Sequence, residues 1–231
     1  MTSPIDFSKK LVKRALEREN RTFVKETGGW FGLTGLAARS HWKEWHTTLR
    51  RKSPFIIIEN DKKRFAEICE EVEKLKAEDP RKAWKISVKY GDLFETMKKV
   101  RIGKNTPVFR YGHLDFCITS KVLMREHQLI ENLFWLSTWK NLKSPFYLDV
   151  TFSRRGDSGM HTSVLNATIP DIFEAAGWKV SNPKRQLIGH RFVNPYREPK
   201  QCPMVNALYK FNKKKVKRQE EEPGKWCGRF L

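Results

Sequence analysis

The 231-residue sequence lacks the features of an exported, membrane-bound or metal-binding protein. No apolar run approaches the about 18 residues that a membrane-spanning helix needs, and the first ten residues lack the apolar core of a signal peptide. The four cysteines, Cys69, Cys117, Cys202 and Cys227, show no paired spacing, which disfavours a disulfide framework and a zinc site. We therefore expect a cytoplasmic protein without a membrane partner or a bound metal.

Acidic residues are scarce relative to basic ones. There are 26 Asp and Glu against 46 Lys and Arg, a formal net charge of +20. Residues 1–52 carry 12 basic and 5 acidic residues and residues 181–231 carry 13 and 4, whereas residues 53–180 carry 21 and 17. A basic excess at both ends predicts a polyanionic partner, with nucleic acid (RNA or DNA) favoured over an anionic membrane. The alternative is a basic charge kept for solubility.

The hydrophobic pattern alternates between strand and helix. We predict strands near 22–25, 55–58, 84–88, 108–118, 146–152, 187–193 and 205–211, and helices near 7–19, 36–49, 61–76, 94–100, 121–140 and 169–176. Such alternation indicates an α/β fold with a doubly wound, mostly parallel seven-stranded sheet. The last two strands have no helix between them and are expected to form an antiparallel hairpin. The domain would span 20–211, between a basic amphipathic helix at 1–19 and a charged, mobile tail at 212–231.

The segment 54–63, PFIIIENDKK, places polar residues at the end of an apolar strand. Its β-branched run suits a strand that is buried on both faces of a parallel sheet. Open α/β sheets bind ligands at the carboxyl ends of their strands, where Glu59 and Asn60 would lie. A carboxylate there can accept the hydroxyl hydrogens of a ribose. Alternatively, Asn60 and Asp61 only cap the next helix.

Polar or glycine-rich segments also follow three other predicted strands. The stretch 26–35 follows the first and contains Glu26, Gly28, Gly29 and Gly32; Asp92-Leu93 follows the third; and Asp115-Phe116 lies in the fourth, near its end. All would reach the same edge of a parallel sheet, because parallel strands end together. For the glycines the alternative is a flexible loop, for Asp92 a helix cap, and for Phe116 a place in the core.

This ordered series resembles the class I (Rossmann-like) S-adenosylmethionine-dependent methyltransferases over about residues 20–211. The turn at 175–180 and the closing strands near 203–208 resemble the same family. The resemblance implies S-adenosyl-L-methionine as the cofactor, with Glu26, Gly28, Gly29 and Gly32 around its methionine part, Glu59 and Asn60 at the ribose, and Asp92 and Leu93 at the adenine. It also implies that Asp115 and Phe116 border the transferred methyl group, as catalytic residues.

Basic residues suggest where a nucleic acid would bind. Arg154 and Arg155 follow the fifth predicted strand, where guanidinium groups can bind phosphates, although a solvated turn is the alternative. The tail adds Lys213, Lys214, Lys215 and Lys217. Four aromatic residues lie among basic ones and offer stacking faces: Trp30, Phe31, Trp42 and Trp45. For Trp42 and Trp45, a half-buried place in the core is an equal alternative.

The sequence therefore predicts an S-adenosylmethionine-dependent methyltransferase that acts on RNA or DNA, with Asp115 orienting the acceptor or taking its proton. One alternative is a catalytically inactive, methyltransferase-like protein that binds nucleic acid. The other is a different nucleotide-binding α/β enzyme, such as a nicotinamide-dependent one.

Overall fold

The computed structural model of the chain describes residues 21, 24, 28–34, 38–47, 53–83, 85–100, 109–119, 122–124, 127–153, 167–180 and 204–214. The strands are β1 (Trp30–Gly32), β2 (Phe55–Glu59), β3 (Ile86–Tyr90), β4 (Phe109–Thr119), β5 (Leu142–Ser153), β6 (Trp178–Val180) and β7 (Met204–Lys213). The helices are α1 (Ala38–Trp45), α2 (Lys62–Glu78), α3 (Pro80–Ala83), α4 (Leu93–Lys98), α5 (Leu129–Thr138) and α6 (Ile169–Ala175). Among these helices, none is both long and apolar enough to cross a membrane.

The seven strands form one mixed sheet in the order β3-β2-β1-β4-β5-β7-β6. Strands β1 to β5 are parallel, and β7 runs antiparallel between β5 and β6. The predicted fold, a mostly parallel sheet with a carboxyl-terminal antiparallel pair at one edge, is therefore confirmed.

Side chains that alternate along each strand divide the core into two layers. Trp30, Phe55 and Tyr111 point to the face covered by α1 and α2, which we call the first face. Phe31 and Phe146 point to the second face, which α4, α5 and α6 cover. Both layers are rich in stacked aromatic rings, which pack on each side of the centre of the sheet.

The first described strand lies within the glycine-rich stretch. It is Trp30–Gly32, whereas of the predicted strand 22–25 only Val24 is described, and Val24 is not in a strand. Trp30 and Phe31 are almost completely buried, and Trp30 stacks on Phe55 with ring centroids 4.1 Å apart. The surrounding glycines obscured the sequence signal of this strand, whose two bulky residues, Trp30 and Phe31, belong to the core.

The carboxyl-terminal prediction also needs correction. The partner of β7 is the short strand Trp178–Val180, with Trp178 fully buried; the predicted strand 187–193 lies outside the described residues. Strand β7 continues to Lys213, so Asn212 and Lys213 belong to the sheet and not to a tail. The helix predicted at 1–19 lies outside the described residues. Within the helix predicted at 121–140, residues 122–124 and Leu129–Thr138 are helical, and Gln128, just before Leu129, has a φ of 46°.

Candidate functional site

Strand register brings two of the predicted site residues into one row across the sheet. Gly32 is aligned with Ile57 of β2 and His113 of β4. Two residues further along these strands, Glu59 pairs with Tyr90 and Asp115 pairs with Thr151, which in turn pairs with Asn206. We call these five residues, Glu59, Tyr90, Asp115, Thr151 and Asn206, the rim row.

All members of the rim row belong to the first face, because each lies an even number of residues from a first-face core residue on its own strand. Strand β1 separates β2 from β4, so the backbones of Glu59 and Asp115 are about 10 Å apart, or two strand spacings of about 4.8 Å. Two carboxylates at that separation can serve different parts of one extended ligand.

Glu59 is held in place by the backbone that follows it. Its Oε1 accepts hydrogen bonds from the backbone N–H groups of Asn60 at 3.0 Å and Asp61 at 2.9 Å. The side chain is only 7% exposed. These two bonds occupy Oε1 and fix the carboxylate. Asn60 itself is exposed beside it.

Tyr90, which the sequence reasoning missed, lies beside Glu59 on β3. Its ring packs edge-on against Phe65, with centroids 5.5 Å apart, yet the residue is 56% exposed. Gly91 follows with a φ of 134°, and its N–H donates to the Glu59 carbonyl at 3.0 Å. The sequence signal for this exposed ring was an aromatic residue, Tyr90, directly before a Gly-Asp turn.

Asp61 and Asp92 cap helices. Asp61 Oδ1 accepts from Arg64 N at 2.8 Å, and Asp92 Oδ1 accepts from the backbone N–H groups of Phe94 and Glu95 at 2.9 and 3.0 Å. The capping alternative thus describes both residues, although exposed Asp92 stays next to the rim. Leu93 is buried in the second-face core.

Asp115 and Phe116 point in opposite directions, because they are consecutive in a strand. Asp115 is half-buried on the first face. Phe116 is 8% exposed on the second face, where its ring lies 6.5 Å from that of Phe94. Phe116 therefore packs in the second-face core, and its predicted place beside the transferred methyl group stays a prediction.

The glycines do not follow the first strand as predicted. Gly28 and Gly29 precede β1, at the amino end of the strand, and Gly29 O accepts from the N–H groups of Arg110 and Tyr111. Glu26 lies outside the described residues. Gly32 does end β1, but a Cβ there would lie 2.3 Å from the His113 carbonyl oxygen. The close approach of β4 is thus enough to explain Gly32.

Most of the predicted nucleic-acid contacts are either not described or are located elsewhere. Arg154, Arg155, Lys215 and Lys217 lie outside the described residues. Lys213 and Lys214 are exposed at the amino edge of the parallel strands, away from the rim row. Four aromatic residues offered as stacking faces are buried in the core: Trp30, Phe31, Trp42 and Trp45.

A buried polar network that sequence reasoning did not identify lies on the first face, one step inside the rim row. Asp149 is 2% exposed; its Oδ2 accepts from His113 Nδ1 at 2.8 Å and from the Tyr111 hydroxyl at 3.2 Å, and its Oδ1 accepts from Asn206 Nδ2 at 2.6 Å. A carboxylate can only accept, so His113 donates from Nδ1. The ring of buried His41 lies 4.8 Å from that of His113. We call Asp149, His113, Tyr111 and Asn206 the Asp149 network.

The comparisons with known proteins identify the fold. No family model and no curated protein sequence matches the chain. Solved structures do match. The chain is similar to the N-methyltransferase NodS from Bradyrhizobium japonicum, with a TM-score of 0.53 and 11% identity over 87% of this chain and 95% of that one. A provisionally assigned rRNA methylase from Clostridium thermocellum gives a TM-score of 0.50 and 9% identity over 85% and 95% of the two chains.

A third match is the provisionally assigned transferase PH0793 from Pyrococcus horikoshii, with a TM-score of 0.51 and 15% identity over 93% of this chain. This chain spans 66% of the length of that protein. At such identities the matches show the fold alone. The predicted resemblance to class I methyltransferases is confirmed at that level: the chain has the class I methyltransferase fold.

Proposed function

We propose that this chain is an S-adenosylmethionine-dependent methyltransferase that acts on a nucleic acid. The single observation that carries the proposal is the rim row, which brings Glu59 and Asp115 to one end of a sheet of the methyltransferase fold. Ligands of open α/β sheets bind at this end. Bound S-adenosylmethionine would supply a methyl group that is already activated by its sulfonium.

Glu59 would hold the ribose. Two backbone N–H groups occupy Oε1, so Oε2 accepts a ribose hydroxyl in the proposed complex. Asn60, Gly32, Asp92 and Leu93 stay in the proposal as residues near the same end of the sheet. The exposed ring of Tyr90 next to Glu59 supports the assignment, because an open aromatic face can stack on the adenine. Gly28 and Gly29 lie at the other end of β1 and are not assigned to this site, whereas Glu26 stays in the proposal as a contact to the methionine part.

Asp115 would act on the acceptor. Its backbone lies about 10 Å from that of Glu59 across β1, and in the proposed complex the far end of the adenosyl ligand brings the methyl group to the Asp115 carboxylate. Its tasks are to align the acceptor atom with the methyl carbon and, if that atom carries a proton, to accept it. Phe116 is not retained as a catalytic residue, because its ring belongs to the core.

The net charge of +20 supports a nucleic acid as the acceptor. Lys213 and Lys214 are exposed and available to phosphates, and the proposal keeps Arg154, Arg155, Lys215 and Lys217 as further contacts. Arginine and lysine contacts to phosphates position a nucleic acid without reading its sequence.

One observation favours a second candidate, an inactive methyltransferase-like protein that binds nucleic acid. In the part of the chain that the structure describes, β1 is followed by Leu33 and Thr34 and not by an acidic residue. The methionine amino group would then need a partner from another segment, and a fold can persist after its catalysis is lost.

Radiolabelled methyl transfer separates the two candidates. The purified protein is incubated with methyl-labelled S-adenosylmethionine and pooled RNA or DNA, beside Asp115→Asn and the exposed-site control Asp171→Asn. We expect label in the nucleic acid with the wild type and the control, and a large loss with Asp115→Asn. Nucleic-acid binding without label in any pool would favour the inactive candidate.

A further inference from the structure

We propose that the nucleic acid is anchored at the amino edge of the sheet, on a basic surface remote from the rim row. This amino-edge patch consists of Lys140, Lys143, Lys179, Lys213 and Lys214, all exposed. The inference rests on the proposed function, which supplies a nucleic acid as the partner. It adds where that partner is held and how much of it the protein spans.

Strand direction places these lysines together. Because β7 is antiparallel to β5, its last residues return to the point where β5 begins: Phe211 pairs with Phe146, and Lys213 N donates to Ser144 Oγ at 3.1 Å. Lys213 also pairs with Trp178, the first residue of β6. Continuing the register puts Lys214 opposite Lys143.

The other two lysines belong to the same edge. Lys140 lies in the turn that joins α5 to β5, closed by a hydrogen bond from Leu142 N to Trp139 O. Lys179 follows Trp178 in β6. The ammonium of Lys213 lies over the ring of Trp178, 5.1 Å from its centroid, on the second face. Alternation along the strands assigns Lys143, Lys179 and Lys214 to the first face, so the patch wraps around the edge of the sheet.

In the described segments that carry the patch, acidic residues do not balance its positive charge. In the described segments 127–153, 167–180 and 204–214, the acidic residues are Glu131, Asp149, Asp171 and Glu174. Asp149 is buried, and Glu131 and Asp171 lie in the first turns of α5 and α6, towards the rim. That leaves Glu174 near the five lysines.

Lys214 lies opposite Lys143 when the register is continued, and like charges directly opposite each other in a sheet are destabilising, so this pair has an electrostatic cost. The ion pairs on the described helices α2 and α4 involve other lysines: Lys74, Lys76 and Lys98. A bound polyanion would offset the repulsion within the patch, and phosphates are the groups that Lys side chains bind as point charges.

The distance between the amino-edge patch and the rim row determines how long a nucleic acid must be to reach both. Strand β7 runs without interruption from Asn206 in the rim row to Lys213, seven residues at about 3.4 Å each, or about 24 Å. Duplex DNA advances about 3.4 Å per base pair. A duplex must therefore cover about seven base pairs to reach from the patch to the rim.

Two triple variants with equal charge changes test the inference. The first, K143Q/K213Q/K214Q, removes three charges from the patch; the second, K74Q/K76Q/K98Q, removes three charges that are paired within helices. Binding of a labelled 16-base-pair DNA duplex is measured by fluorescence anisotropy over a salt series, with circular dichroism to check the fold. Lys143→Gln alone is a fallback if the first triple variant is unstable.

We expect the patch variant to bind at least about tenfold more weakly at physiological salt, with the control within about twofold of the wild type. The slope of log affinity against log salt should fall by up to about 2.7 for three lost contacts at about 0.9 each. Equal affinity of the patch and control variants would overturn the patch while leaving nucleic-acid binding intact. No binding by the wild type would instead remove the nucleic acid from the proposed function.

Discussion

The Asp149 network makes the sharpest prediction about stability. Replacing Asp149 by alanine removes the acceptor of the Tyr111 hydroxyl and of His113 Nδ1, both in buried residues. A buried donor that loses its partner costs about 1–3 kcal/mol. Asn206 keeps acceptors in Thr151 Oγ1 and the Val150 carbonyl, so it adds little. We therefore expect Asp149→Ala to lower the free energy of unfolding by about 2–6 kcal/mol.

Asp149→Asn should cost less than Asp149→Ala, because an amide oxygen can still accept from His113 or Tyr111. The matched control is Asp171→Ala, which changes an exposed carboxylate in the first turn of α6 and should alter stability by less than about 0.5 kcal/mol. Urea unfolding followed by circular dichroism measures all three. With a slope of about 2–3 kcal/mol per molar urea, Asp149→Ala should lower the midpoint by about 0.7–3 M.

Unfolding of Asp149→Ala at the same urea concentration as the control would contradict the stabilising role of the Asp149 network. Greater damage from Asp149→Asn than from Asp149→Ala would contradict it too, since the order of the two depends on the number of acceptors that remain.

Three other predictions concern single contacts. Gly32→Ala should destabilise the fold by about 1–3 kcal/mol or more, because its Cβ would lie 2.3 Å from the His113 carbonyl oxygen; thermal unfolding measures this, and an unchanged melting temperature would contradict the strand spacing. Asp92→Ala should cost about 1 kcal/mol of unfolding free energy by removing the cap of α4, whereas an unaltered urea midpoint would mean that the cap adds nothing. Burial raises the pKa of the Tyr209 phenol, so the folded state keeps a proton that the unfolded state loses above about pH 10. Stability should then fall by up to about 1.4 kcal/mol per pH unit above that pH, and Tyr209→Phe should remove this part of the slope; parallel alkaline curves for the two proteins would refute it.

The fold could be predicted because its main signals are local. The run Phe55–Ile58, the helix Lys62–Glu78 with Asp61 as its cap, and Gly177 after α6 each have a pattern that one segment carries alone. The strand Trp30–Gly32 was not predicted, because glycines lie before it and at its end. Trp30 and Phe31 are accommodated by aromatic neighbours from other strands, which periodicity along the chain does not show.

The site could be predicted only in part, for the same reason. Glu59 and Asp115 follow apolar strand residues, and the rule that parallel strands end together placed both at one edge. The Asp149 network joins β4, β5 and β7, whose residues are up to 95 positions apart in the chain (Tyr111 and Asn206). Such pairing depends on strand order and register, so a polar residue within a strand gave no sign of its partners.

Lys213 and Lys214 lie far from the rim row because of the direction in which β7 runs. The sequence placed these lysines in a mobile tail, from which any surface could be reached. Because β7 runs antiparallel to β5 and continues to Lys213, the lysines are instead fixed at the amino edge.

Calorimetric titration with S-adenosylmethionine tests the central claim, that the rim row forms an adenosyl site, most directly. The wild type and the Asp171→Ala control should bind with micromolar affinity. Glu59→Ala should give no heat of binding while it keeps a cooperative unfolding transition. Absence of binding by the wild type, or unchanged affinity of Glu59→Ala, would contradict the claim.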